Sequence, residues 1–224
     1  MVVAGLSTVV EWYDFTLYLY FSTVLARVFF GNGPQSMTET LGGFAIAYLM
    51  RPVGALVFGH FGDRLGRRMT MLGSMALMTA AMLATALLPT YAQIGPLAGV
   101  LLIALRCLMS FSVGGEYTGV VAYLMEGAKD SRRGLITSCA SAASEIGALL
   151  AAAVAALTVW AVPEDVLVSW GWRLPFLFGA ALAGLVVITR ATLEETPEFL
   201  RQRDAGTVPE NPIRQTLMKH RSAI

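Results

Sequence analysis

Gly59-His60-Phe61-Gly62-Asp63-Arg64-Leu65-Gly66-Arg67-Arg68 lies between two long apolar stretches, and its reading decides the fold. A short, basic, glycine-punctuated segment in that position is a loop where one membrane-length helix ends and the next begins. Gly59 and Gly66 let two helix ends approach, and Asp63 is placed to accept from an exposed helix N-terminus or to pair with a neighbouring arginine. Arg64, Arg67 and Arg68 are expected to hold the loop on the cytoplasmic side. A plain positive-inside loop needs arginines of this kind but neither the aspartate nor the glycine spacing, so this segment is expected to do more than orient the chain.

Composition supports the membrane reading. The 224 residues are 56% hydrophobic and only 14% charged, with a mean hydropathy of +0.63, more apolar than a soluble core of this size requires. The net charge of +1 points to no nucleic acid or polyanion partner. Cys107 and Cys139 both fall in apolar stretches, where packing is their simplest role and no disulfide framework is implied. His60 and His220 are isolated, no metal-ligand spacing occurs and no nucleophile–base arrangement can be picked out, so neither an enzyme nor a cofactor or metal site is expected.

About six segments are long enough to cross a hydrocarbon core, for which roughly 20 residues are needed; their approximate cores are 2–25, 41–62, 69–88, 95–125, 135–161 and 175–189. The expected fold class is therefore an all-α integral membrane protein. The loop arginines and the cluster Lys129, Arg132 and Arg133 fall on one side, whereas residues 89–96 on the other carry no charge. This bias predicts a multi-pass plasma membrane protein with both termini cytoplasmic, in the inner membrane if the source is bacterial. Trp160, Trp170 and Trp172 surround the fifth-to-sixth connection, as an outer aromatic belt would. The first span, interrupted by Glu11 and Asp14, makes a poor signal-peptide core and is expected to be retained. Residues 194–224, with Pro197, Gly206, Pro209 and Pro212, read as a cytoplasmic linker.

Charges inside the spans carry the functional argument, since each costs at least about 2.5–3.5 kcal/mol at the bilayer centre. Glu11, Asp14, Arg51, Arg106, Glu116 and Glu145 are the candidates for binding substrate or coupling a proton. Glu11 and Asp14 share one helix face, with Tyr18 one turn further. Two carboxylates this close do not both ionise easily in low dielectric, which makes one a proton carrier; the alternative is a structural pair bridged to Arg51 or Arg106. Arg51 stands eleven residues before the end of its span, about 16 Å along the helix and near the midplane. Pro52 loosens the helix beside it, and Arg51 either grips a substrate carboxylate with its fork or neutralises Asp14. Glu116 lies on a different face from Arg106 and is expected to meet another helix. Glu145, with Ser138, Ser141 and Ser144 near it, is placed to bind a cationic substrate, take a proton, or balance Arg106 or Arg51. Gly147, Ala151 and Ala155 form a small-residue face against which a helix can pack.

The decapeptide resembles the loop between the second and third helices of the major facilitator superfamily, G-x-x-x-D-[RK]-x-G-[RK]-[RK]. Glu11-Trp12-Tyr13-Asp14-Phe15 is similar to the E-W-[YF]-D-F signature of its metabolite:proton symporter branch, as is Arg51-Pro52-Val53-Gly54 to R-P-x-G. Arg106 with Gly114-Gly115-Glu116 resembles R-x-x-Q-G followed by G-G-E, with Met109 and Ser110 where glutamine and glycine are expected. Arg132-Arg133-Gly134, the run from Trp170 to Phe176 and the run from Leu193 to Phe199 fall in the branch's order. The resemblance covers nearly the whole chain.

It implies half of a major facilitator fold: six transmembrane helices as two inverted three-helix repeats, 1–90 and 91–193, with 194–224 leading toward a second six-helix half. It implies a symporter moving a small polar metabolite, an organic acid or zwitterion, with a proton by alternating access. Arg106 would take part in proton coupling, Gly114 and Gly115 in close packing, and Glu126 would join Asp63 and Arg67 or Arg68 in a gating cluster. The partners implied are the small-molecule substrate, the proton, the lipid bilayer and the second half, without which transport by this chain alone is not expected. The alternative is a non-transporting half that binds a membrane partner or is inert.

Overall fold

The computed structural model describes residues 2–31, 33–126, 133–192 and 195–207; within its helices the side chains of 2–4, 116–126, 133, 135–137, 140 and 198 lie outside the description. The described residues form helices α1 (Val2–Tyr20), α2 (Ser22–Phe30), α3 (Ser36–Tyr48), α4 (Met50–Leu65), α5 (Arg67–Leu87), α6 (Tyr91–Ile94), α7 (Leu97–Glu126), α8 (Arg133–Ala161), α9 (Glu164–Val166), α10 (Arg173–Arg190) and α11 (Pro197–Asp204), with no strand among them. Five stretches, Ser36–Leu65, Arg67–Leu87, Leu97–Gly115, Ser141–Ala161 and Arg173–Arg190, are long and apolar enough to cross a bilayer. α1 and α2 follow each other with only Phe21 between them, where the first span was expected.

Two long segments are interrupted rather than regular α-helix throughout. α3 gives way to α4 at Leu49, two residues before Arg51-Pro52. Pro52 has no N–H to offer the carbonyl one turn back, so the ladder loosens beside Leu49, and Arg51 stands in the first turn of α4. Before α10, residues Leu167–Gly171 form a wide π turn, closed by the Trp172 N–H donating to the Leu167 carbonyl at 2.9 Å.

α1 packs on α8, α4 on α7, and α5 on both α7 and α10. The α4–α7 crossing depends on glycine at both faces: a Cβ added at Gly54 would strike the Phe111 carbonyl, and one at Gly114 would strike the Arg51 carbonyl. The close packing expected of Gly114 is therefore met by a matching Gly54. Polar ties reinforce the packing, with Tyr13 Oη donating to the Pro175 carbonyl at 2.8 Å and the Ser112 hydroxyl donating to the Ser74 carbonyl. Arg190, fully buried at the end of α10, donates to Ser7 Oγ at 2.5 Å and to the Met71 carbonyl at 3.4 Å, joining α10, α1 and α5.

The core runs along α1, α2, α5 and α10, through Tyr13, Leu17, Phe21, Phe29, Met75, Met78, Met82 and Phe176. Trp172 belongs to it, at 0% exposure and edge-on to Phe29 at 5.0 Å, so it is not a belt residue; Trp160, 85% exposed, and the exposed Trp170 keep that placement. The hydrophobic partners within reach of Trp172 outweigh its position next to the loop. Cys139 is exposed rather than packed, and both cysteines are free.

Candidate functional site

The decapeptide is mostly helix. α4 runs through Leu65, the turn is Gly66 alone, at φ +102°, and α5 starts at Arg67. Only a glycine adopts that angle without strain. Gly59 faces open space and brings no helix ends together. Asp63 takes the second of its two expected roles, pairing with Arg67 at 2.9 Å. The exposed N–H groups of α5 are met instead by Glu195, whose carboxylate accepts from the Arg68 N–H at 3.1 and 3.2 Å. An anion at a helix N-terminus satisfies unpaired donors and the helix dipole together. Arg68 Nη2 also donates to the Ala191 carbonyl at 2.7 Å, so this turn is tied to the chain leaving α10, while Arg64 is exposed. The side chain of Glu126, expected in this cluster, lies outside the described residues.

Near the middle of the helices, two ion pairs form where sequence left the pairing open. Asp14 Oδ2 accepts from Arg106 Nη1 at 2.6 Å, and both side chains are 3% exposed. Arg106 Nη2 donates to Thr85 Oγ1 at 3.2 Å, and its guanidinium lies 5.2 Å from the Tyr18 ring centre and 6.0 Å from that of Phe176. Asp14 Oδ1 is buried and makes no hydrogen bond among the described residues. Glu11 pairs with Arg51 at 3.2 Å; Glu11 is 4% exposed, but Arg51 is 21% exposed and lies over Tyr48 at 4.6 Å and Phe15 at 5.4 Å. Arg51 therefore neutralises Glu11, not Asp14, and keeps part of its fork accessible.

These pairs share one cleft of ≈ 20 Å³, lined by Glu11, Asp14, Arg51, Arg106 and Ser110, room for about one water. Ser110, a departure from the resembled pattern, therefore contributes a hydroxyl to the site. Thr85, a small alcohol within an apolar run, carried no signal by which sequence could mark it. Glu145 stands apart: it is exposed on α8, and the arginines it was expected to balance are held elsewhere. Glu116 lies on α7 by backbone, with its side chain outside the described residues. Among the described residues no group of His, Cys, Asp and Glu is arranged to hold a metal ion.

Five helices of membrane-crossing length, with charged pairs buried among them, define the class of a multi-pass membrane protein. Residues 1–214 match the family model described as "Sugar (and other) transporter", and the chain belongs to that family. It is 36% identical over 213 residues to a putative proline/betaine transporter of Staphylococcus aureus (strain COL), covering 94% of this chain and 45% of the relative. It is 38% identical over 200 residues to the ectoine/proline transporter ProP of Corynebacterium glutamicum, covering 87% and 40%. The inner membrane metabolite transport protein YhjE of Escherichia coli (strain K12) is 34% identical over 223 residues, with 98% and 51% covered. Among solved structures, the partially occluded inward-open xylose transporter XylE from E. coli superposes with a TM-score of 0.79 at 23% identity, over 90% of this chain and 51% of that one. The chain thus spans about half the length of the relatives it matches, and these relatives are transporters, not enzymes.

Proposed function

We propose that the chain forms one half of a proton-coupled symporter of a small polar metabolite, an organic acid or a zwitterion, operating by alternating access against a second six-helix half. The observation that carries the reading is the buried Asp14–Arg106 pair beside the partly exposed Arg51–Glu11 pair. Protonation of Asp14, whose Oδ1 has no protein donor among the described residues, removes the charge that holds Arg106. The guanidinium is then freed to move or to meet a substrate anion. Because the two events compete for one cation, proton and substrate affinities become linked, and linkage of this kind is reciprocal.

Arg51 serves the substrate. Its fork faces the cleft beside the break between α3 and α4, and its aromatic neighbours hold the charge in place without consuming its donors. The Gly66 turn, with Asp63, Arg67, Arg68 and Glu195, is the gating element at one end of the half; that end is the cytoplasmic one, and both termini lie there. The inverted repeats 1–90 and 91–193 supply the pseudosymmetry for rocking. The relatives' names place proline, betaine and ectoine among the solutes to try.

The reading is tested by uptake of labelled organic acids, proline and betaine into proteoliposomes that hold this chain joined to a second six-helix half, with and without an inward proton gradient. Gradient-driven uptake that Asp14→Asn uncouples supports it. No uptake of any solute by a folded, joined protein refutes it and favours a non-transporting half.

A further inference from the structure

α8 carries an acid that the paired site does not use. Glu145 lies twelve residues beyond the start of α8 at Arg133, about 18 Å along the helix and near the bilayer centre. Its depth is fixed by packing on α1: Gly5 faces Ala143, while a Cβ on Gly147 would strike the Val9 carbonyl. Glu145 falls between these contacts, about one turn from Glu11 toward the Gly66-turn end. Its side chain is exposed and, among the described residues, no ion pair or hydrogen bond holds the carboxylate.

A free carboxylate at this depth does not face lipid. The face it stands on agrees. Ser138, Ser141 and Glu145 form an exposed polar stripe toward the Gly66-turn end, and Leu149, 72% exposed, continues the same face as apolar surface beyond it. A polar stripe of this kind, ending at Glu145, is suited to line a water path from the Gly66-turn end. Among the described residues Glu11 is paired with Arg51 and Asp14 with Arg106, which leaves Glu145 as the acid at this depth without a described cation.

We propose that Glu145 makes this path selective for positive charge, so that the solute carried is one bearing a cationic nitrogen, with its carboxylate, if present, directed to Arg51. The proposal rests on the transporter reading above but is tested separately from it. In the reconstituted protein with Cys107→Ser and Cys139→Ser, Ser141→Cys places a thiol one helical turn from Glu145 on the same face. The thiol is reacted from water with a trimethylammonium methanethiosulfonate and with its sulfonate counterpart.

The expected result is a preference for the cationic reagent of roughly five-fold or more over that of a free thiol, as one nearby charge in a medium of intermediate dielectric gives. Glu145→Gln should abolish the preference, and Glu145→Asp should keep it. Failure of both reagents to reach the thiol, or an unchanged ratio in Glu145→Gln, overturns the proposal by showing the face to be sealed or uncharged. Uptake on the same liposomes separates the two ideas. Transport restricted to anions without a cationic nitrogen overturns the solute class and leaves the symporter reading standing, whereas absence of all uptake refutes that reading while the labelling ratio still reports on Glu145.

Discussion

Removing Arg106 alone should destabilise the half far more than removing Arg106 and the Asp14 charge together. The two side chains meet at 2.6 Å and are each 3% exposed, so Arg106→Gln leaves a buried carboxylate without its cation. Breaking a buried pair from one side costs about 3–5 kcal/mol, whereas replacing both charges by neutral groups of similar shape is often nearly neutral. Asp14→Asn/Arg106→Gln should therefore recover most of the loss. Its remaining deficit reflects the Thr85 hydrogen bond and the Tyr18 and Phe176 rings that Arg106 touches. The assay is a double-mutant cycle on unfolding in detergent or nanodiscs, followed by tryptophan fluorescence. A coupling energy above about 2 kcal/mol is expected. Effects that add to within about 0.5 kcal/mol, the behaviour of independent sites, would refute the claim that the pair acts as a unit.

Glu195→Ala should lower stability by about 0.5–2 kcal/mol, the cost of an uncapped helix start, and should speed proteolysis within residues 195–207; an unchanged melting point and cleavage rate would contradict the role assigned to that carboxylate. Gly114→Ala should cost about 1–3 kcal/mol through the forced separation of α4 and α7, while Gly73→Ala, whose methyl meets nothing within 4 Å, should stay within about 0.5 kcal/mol. Thermal melts of the two variants side by side check this. Arg27→Ala breaks a 2.6 Å pair with Glu164, but the partners are 54% and 77% exposed, so a loss of no more than about 1 kcal/mol is expected, shrinking further in high salt.

The spans and the basic turn were legible because apolar length and arginine placement are local properties that the bilayer reads directly. The close packing at Gly114 was legible through the resemblance of Gly114-Gly115-Glu116 to the symporter pattern, whereas its partner Gly54 was not. Which acid meets which arginine was not: Glu11 and Asp14 sit one turn apart, and only the rotation of α1 against α4 and α7 assigns Arg51 to one and Arg106 to the other. Glu195 was hidden by distance, since it reaches Arg68 across 127 residues of chain. Arg190 carried no mark in the sequence, and only tertiary packing buries it against Ser7. Trp172 misled because a tryptophan near a loop has the same sequence signature whether it faces headgroups or, as here, Phe29 and Phe176.

The central claim is that the Asp14–Arg106 pair couples a proton to solute movement. Its most direct test is proton movement, recorded with a pH-sensitive dye inside liposomes, during uptake by this chain joined to a second half. The account predicts that solute addition acidifies the lumen in the parent protein, and that Asp14→Asn abolishes the acidification while solute still exchanges across the membrane. Solute-driven acidification that persists undiminished in Asp14→Asn would contradict it.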